Sequence, residues 1–174
     1  MIRVAVLTIS DSAVAGTRED RSGPAVVEMA QALGWSVVAR QVLIDDVKEI
    51  GAAMTSLIDQ DQADVVLTTG GTGLGPRDVT PEATQSISHR DIPGFGELMR
   101  AEGRKSARFA SLSRGGAAAR GSALIINLPG SPKGAVDSLV AVADLIPHAV
   151  DLLQGRTEHI GSAAATDKPG EASK

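Results

Sequence analysis

The chain has no cysteine among its 174 residues. Disulfides, thiolate metal sites and cysteine nucleophiles are therefore excluded. Aromatic residues are almost as scarce: Trp35, Phe95 and Phe109 are all there are. The core must be built from Val, Leu, Ile and Ala, and the aromatic platforms that stack bases of single-stranded nucleic acid are missing. The histidines, His89, His148 and His159, are too dispersed to show metal-ligand spacing, so no zinc site is expected. No apolar run approaches the ~20 residues needed to span a bilayer. Met1–Val6 runs straight into an apolar strand, without the basic region and cleavage site of a signal peptide. The expectation is a cytoplasmic protein with no membrane partner.

What is present is an ordinary globular composition, 43% hydrophobic and 22% charged. The length suits a single domain with a real core. Charge is unevenly spread. The net charge is −4, yet residues 97–133 carry seven Lys/Arg against two Glu and the remainder is strongly acidic. A basic segment within an acidic protein fits a small anionic ligand better than nucleic acid. The plainer explanation is a solvated helix face with surplus Lys and Arg.

Apolar runs of strand length alternate with helical patterns. Strands are expected at Ile2–Ile9, Trp35–Leu43, Val65–Thr69 and Ala123–Leu128. Helices are expected at Pro24–Leu33, Val47–Asp59, Pro81–Ser88 and Phe95–Arg108, with one long helix over Pro132–Leu153 bent near Pro147. Gly23-Pro24, Thr80-Pro81 and Ser131-Pro132 each put proline at a first helical position, and Asp46 to Glu49 has the form of a capping box. This order implies an α/β fold, a three-layer α/β/α sandwich with a mostly parallel central sheet. The domain is expected to span 1–155. The small, polar residues of 156–174 read as a disordered tail.

Ligands of such sheets sit beyond the carboxyl ends of the strands. Four segments follow strands here, Ser10–Ser12, Asp45-Asp46, Gly70–Asp78 and Pro129–Lys133, and they should meet in space. The densest signal is Gly70-Gly71-Thr72-Gly73-Leu74-Gly75-Pro76-Arg77-Asp78-Val79-Thr80-Pro81. Glycines after a buried strand let the backbone approach a ligand, and their N–H groups can cradle phosphate; a merely flexible turn is the alternative. A dinucleotide fingerprint from Gly71 fails at Pro76, and a Walker A loop from Gly70 fails at Pro76 and Arg77. Pro129-Gly130-Ser131-Pro132-Lys133 opens a helix whose N-terminus favours anions, although a plain N-cap serine explains it equally well. Asp11, Asp46 and Asp78 each follow a strand. Carboxylates beside phosphates commonly hold Mg²⁺, but Asp46 can also be read as a helix cap. Asp45 stands beside it, and the choice between the two stays open.

The Gly70–Pro81 run resembles the TTGGTG…RDVTP signature of the MoaB/Mog type of molybdopterin adenylyltransferases, a fold shared with the G domains of gephyrin and with domains of molybdenum insertases. Five further pieces match in order: Ile9–Asp11, Leu43–Asp46, Pro93–Arg100, Leu112–Arg114 and Leu128–Lys133. The resemblance covers roughly residues 2–155 and implies a Rossmann-like topology. It also implies transfer of AMP from ATP to the phosphate of molybdopterin, with Mg²⁺ and release of pyrophosphate. On this resemblance Asp46 and Asp78 are the essential acidic pair and the Mg²⁺ ligands. Ser10, Asp11, Gly70, Gly71, Thr72, Gly73, Pro129, Gly130 and Ser131 would hold the nucleotide, and Glu97, Ser113 and Arg114 the pterin. Asp45 stands where these enzymes often have proline. Arg100, Arg104, Arg108 and Arg114 would attract the pterin phosphate, which needs no general base because it is already ionised. The family implies a homotrimer, or a hexamer, and handover of product to a molybdenum insertase. Three other readings are a non-catalytic pterin- or nucleotide-binding paralogue, a gephyrin-like scaffold and an unrelated nucleotide-binding α/β protein. Retention of Asp46 and Asp78 favours the enzyme.

Overall fold

The structure is a computed structural model, and it describes residues 1–156. The expected tail lies, from residue 157 on, outside the described residues. Six strands form one sheet: β1 (Arg3–Ile9), β2 (Ser36–Leu43), β3 (Val65–Thr69), β4 (Arg90–Ile92), β5 (Gly116–Arg120) and β6 (Ala123–Leu128). Their order is β2-β1-β3-β6-β5-β4. The first four in this order run parallel, and β5 and β4 close one edge antiparallel. The mostly parallel sheet expected from the sequence is what forms.

The central strands show why. RVAVLTI, VVLTT and ALIINL are buried on both faces almost throughout, as parallel strands covered by helices must be. One face packs against α2 (Ser22–Ala32), α5 (Pro93–Gly103), α6 (Pro132–Val140) and α7 (Ile146–Leu153), through Val26, Phe95, Met99, Leu139 and Ile146. The other packs against α3 (Val47–Asp59) and α4 (Thr80–Ile87), through Ile50, Met54, Leu57 and Ala83. A one-turn helix, α1 (Asp11–Val14), follows β1.

Several elements differ from the sequence expectation. The long C-terminal helix is two, because residues 141–145 form a tight turn with bonds such as Val142 N to Leu139 O and Leu145 N to Val142 O. Pro147 sits in the first turn of α7, where a missing N–H costs nothing. Helix α5 begins at Pro93 and stops at Gly103, short of the expected Arg108, and a 3-10 turn over Arg108–Leu112 follows it. Helix α2 starts at Ser22, so Pro24 is its third residue, and Asp20 accepts from Gly23 N at 2.9 Å. The capping box at α3 is half formed. Asp46 Oδ1 accepts from Lys48 N and Glu49 N, while the N–H of Asp46 goes to Ile44 O.

Strand order reverses around β1: β2 lies on one side and β3 on the other. This switch point opens a crevice beyond the carboxyl ends of β1 and β3, where α/β sheets bind ligands.

Candidate active site

The four post-strand segments meet at this crevice. Asp11 N donates to Asp45 Oδ2 at 3.1 Å, and Asp45 N donates to Asp11 Oδ1 at 3.0 Å, a reciprocal stitch between the β1 and β2 loops. Gly70 N donates to Leu128 O at 3.2 Å, and Thr69 Oγ1 to Pro129 O at 2.7 Å, joining the β3 and β6 loops. Ser10 caps α1 by accepting from Ala13 N, and Ser131 caps α6 by accepting from Gly134 N. Ser10, Asp11, Asp45, Gly70, Asp78 and Ser131 are among the residues around a polar cavity of about 860 Å³. On the other side of Gly130 and Ser131 a second cavity, about 580 Å³, is walled largely by apolar atoms of Met99, Phe109, Leu112 and Leu74.

The loop after β3 is fixed by steric demands that only glycine meets. Gly70 has φ +104°, and a Cβ there would stand 2.3 Å from Ile9 O. Gly71 has φ +63°, and its Cβ would stand 2.3 Å from Thr80 Oγ1, the hydroxyl that donates to Gly70 O at 2.9 Å. Thr72 is buried, and its carbonyl accepts from Arg114 N at 2.8 Å. Asp78 lines the polar cavity and folds back on the loop: its Oδ2 accepts from Gly75 N at 2.7 Å, and its Oδ1 has no hydrogen bond among the described residues. Arg77 reaches over to Asp11 with Nε and Nη2, both at 3.0 Å.

Electrostatics divide the aspartates. The Asp45 backbone N–H, with the Arg77 guanidinium also contributing, holds the Asp11 carboxyl below the usual range despite partial desolvation. Burial pushes the Asp45 carboxyl up, and the neighbouring charges of Asp11 and Asp78 add to this. For Asp20, burial works upward but is outweighed by Gly23 N, Arg40 and Thr8, so its carboxyl lies below the usual range.

Of the two adjacent aspartates, Asp45 lies in the cavity wall and Asp46 does not. Asp45, however, gives Oδ2 to Asp11 N and packs Oδ1 beneath Gly71, 3.1 Å from where a Cβ would be. Asp46 uses only Oδ1 for its cap. The pterin candidates separate. Ser113 lines the apolar cavity and accepts from Gly115 N, whereas Glu97 is exposed on α5 and lines neither cavity. Arg114 is a brace, donating to Gly73 O at 2.7 Å and Asp78 O at 2.6 Å and pairing with Glu82. Arg100 is likewise engaged, with Ser113 O and Gly115 O, while Arg104 and Arg108 are exposed. Sequence reading missed Asp20, which holds Thr8 and α2 at the cavity wall, and the buried Asn127. Asp20 reaches Thr8 from 12 residues away, and Asn127 reaches Thr68 from 59; no local pattern carries those contacts.

Residues 5–148 match the family described as a probable molybdopterin binding domain. The chain belongs to that family. Among its relatives, the molybdopterin adenylyltransferase of Helicobacter pylori strain 26695 is 42% identical over 156 residues, covering 88% of this chain and 89% of the relative. The Escherichia coli K12 enzyme of the same name is 37% identical over 168 residues, covering 88% and 86%. Among solved structures, the molybdopterin biosynthesis enzyme MoaB of Thermus thermophilus superposes with a TM-score of 0.84 at 44% identity, covering 89% of this chain and 98% of that one. The crevice thus lies in a chain that matches, over most of its length, relatives named molybdopterin adenylyltransferases.

Proposed function

We propose that the chain is a molybdopterin adenylyltransferase. A phosphate oxygen of molybdopterin attacks the α-phosphorus of ATP; the new P–O bond forms as the bond to the β-phosphate oxygen breaks, and pyrophosphate leaves with its electron pair. One observation carries this reading beyond family membership: a glycine loop and a helix N-terminus converge with Asp78 on one polar cavity. Both reactants are polyanions, so positioning and charge stabilisation carry most of the work. Backbone N–H groups of the Gly70–Gly73 loop and the N-terminus of α6 at Ser131 receive the ATP phosphates, with Ser10 and Asp11 on the facing wall. The nucleophile is already ionised, so no general base is needed.

The residues fit Mg²⁺ in the form that ATP brings it. Among the described residues no three His, Asp or Glu side chains converge as a cage, and Mg²⁺ needs only one or two carboxylates beside phosphate and water. Asp78 through Oδ1 and Asp46 through Oδ2 are the proposed ligands, and the ion would neutralise charge building on the phosphates. Asp45 keeps the β1 and β2 loops in register. Arg114 positions Asp78, and Arg104 and Arg108 gather the anionic pterin phosphate. Ser113 and Glu97 remain the pterin-side residues of this reading. A homotrimer, with a hexamer as the larger form, a cytoplasmic location and handover of the product to a molybdenum insertase belong to the same proposal.

Asp78→Asn should lower molybdopterin-dependent pyrophosphate release at saturating Mg-ATP by about a hundredfold or more. Asp46→Asn keeps the helix cap, so it should lose activity at nearly unchanged stability. Full turnover in Asp46→Asn together with an inactive Asp45→Asn would transfer the metal role to Asp45.

A further inference from the structure

The loop between α1 and α2 is anchored at both ends. Gly16, at φ +69°, turns the chain out of α1. Ser12 O then accepts from Thr17 N at 3.0 Å, Arg18 N at 3.1 Å and Thr17 Oγ1 at 3.1 Å. At the far end the Asp20 carboxylate accepts from Gly23 N, Thr8 Oγ1 and Arg40 Nη2, each at 2.9 Å. Arg18 and Glu19 stand between these anchors and, with Arg21, line the polar cavity. The charges of that cavity do not cancel. Asp11, Glu19, Asp20, Asp45 and Asp78 line it, against Arg18 and Arg21 alone. Arg77, Arg21 and Arg40 are committed to Asp11, Glu19 and Asp20. Arg18 is exposed and forms no ion pair among the described residues. Among those residues it is the one uncommitted cation of the lining, on a backbone already fixed. A free guanidinium beside a crevice that takes polyanions is a ready partner for phosphate, which it meets with paired N–H donors.

The direction of displacement decides which phosphate that is. In transfer at phosphorus the entering and leaving oxygens stand roughly in line. On the function proposed above, the pterin phosphate arrives from the side of the apolar cavity, which Ser113 lines and near which Arg104 and Arg108 are exposed. Gly130 and Ser131 border both cavities. An α-phosphate held at that border therefore sends its leaving group to the polar side, toward the α1–α2 loop. Resting on that reading, we propose that Arg18 binds the β- and γ-phosphates of ATP and then the departing pyrophosphate. It neutralises charge on the leaving group as the bond to the α-phosphorus breaks, and it makes the site prefer a triphosphate to a monophosphate.

The test is calorimetric titration of the full chain with ATP, AMP and inorganic pyrophosphate, each with Mg²⁺. Arg18→Gln, at an exposed position safe for folding, should weaken binding of ATP and pyrophosphate by about tenfold or more and leave AMP within about twofold. Arg18→Lys should recover part of the loss, because it keeps the charge without the planar fork. Arg21→Gln is the control. It removes the same charge from the same wall, but from a guanidinium already paired with Glu19, and should change pyrophosphate binding by less than about threefold. Equal losses for ATP and AMP, no loss for pyrophosphate in Arg18→Gln, or equal losses in the Arg18 and Arg21 variants would overturn the assignment. Pyrophosphate release with molybdopterin, measured on the same preparations, separates the two readings. Release by wild type with unchanged pyrophosphate binding in Arg18→Gln leaves the enzyme standing and removes the role of Arg18. Pyrophosphate binding lost in Arg18→Gln, with no release by wild type, leaves a polyphosphate site and removes the transfer.

Discussion

Gly70 occupies a position where a side chain would run into the carbonyl of Ile9, and its φ of +104° is a conformation that L residues avoid. Gly70→Ala should lower the unfolding free energy by about 2 kcal/mol or more. A urea titration matching wild type would mean that the loop has a second accommodating conformation. Asp45 gives the pH-dependent prediction at this scale. Its carboxyl is raised by burial and by the charges of Asp11 and Asp78, so the folded state binds that proton more tightly than the unfolded chain. Asp45 therefore withdraws stability as pH rises from the unfolded value, about 3.9, through the raised folded value. Asn at this position can still accept from Asp11 N. Asp45→Asn should match or exceed the wild-type melting temperature at pH 7, and the difference should shrink as the pH is lowered through that window. A variant less stable at pH 7 than at pH 4, relative to wild type, would contradict the assignment. The glycine loop, Asp11 and Asp78 were legible in sequence because each follows a buried strand. The Asp11–Asp45 stitch, the reach of Asp20 to Thr8 and Arg40, and the bonds of Asn127 to Thr68 and Thr84 were not, because those partners come from segments distant in sequence.

Elements with a strong local signal came out where the sequence put them. Val47–Asp59, Val65–Thr69 and Ala123–Leu128 coincide with α3, β3 and β6. The misses have physical causes. Strand β4 has three residues, and β5 is GAAAR, a sequence with little strand propensity that is held by pairing on both sides. The run from Val140 to Leu145 is apolar enough to continue a helix, and only tertiary packing turns it. Because Pro147 lies in the first turn of α7, Pro147→Ala should shift the melting temperature by no more than about 2 °C. Relief of a proline inside a continuous helix would instead stabilise by about 3 kcal/mol. A gain of that size would mean that the two helices form one bent rod.

At the scale of the whole molecule, the reversal of strand order around β1 gathers four loops into one crevice, and the two arms of the chemistry divide around it. The polar cavity, lined by Asp11, Asp45 and Asp78 together with the glycine loop and the start of α6, is where the proposed function puts the phosphates. Among the described residues no helix is long and apolar enough to cross a membrane. The most direct test of the central claim is pyrophosphate release from Mg-ATP by the full chain, with molybdopterin present and absent. The account predicts release that requires molybdopterin and equals the adenylyl-molybdopterin formed, one for one. Tight molybdopterin binding with no release would contradict it and leave a pterin-binding relative of the enzyme.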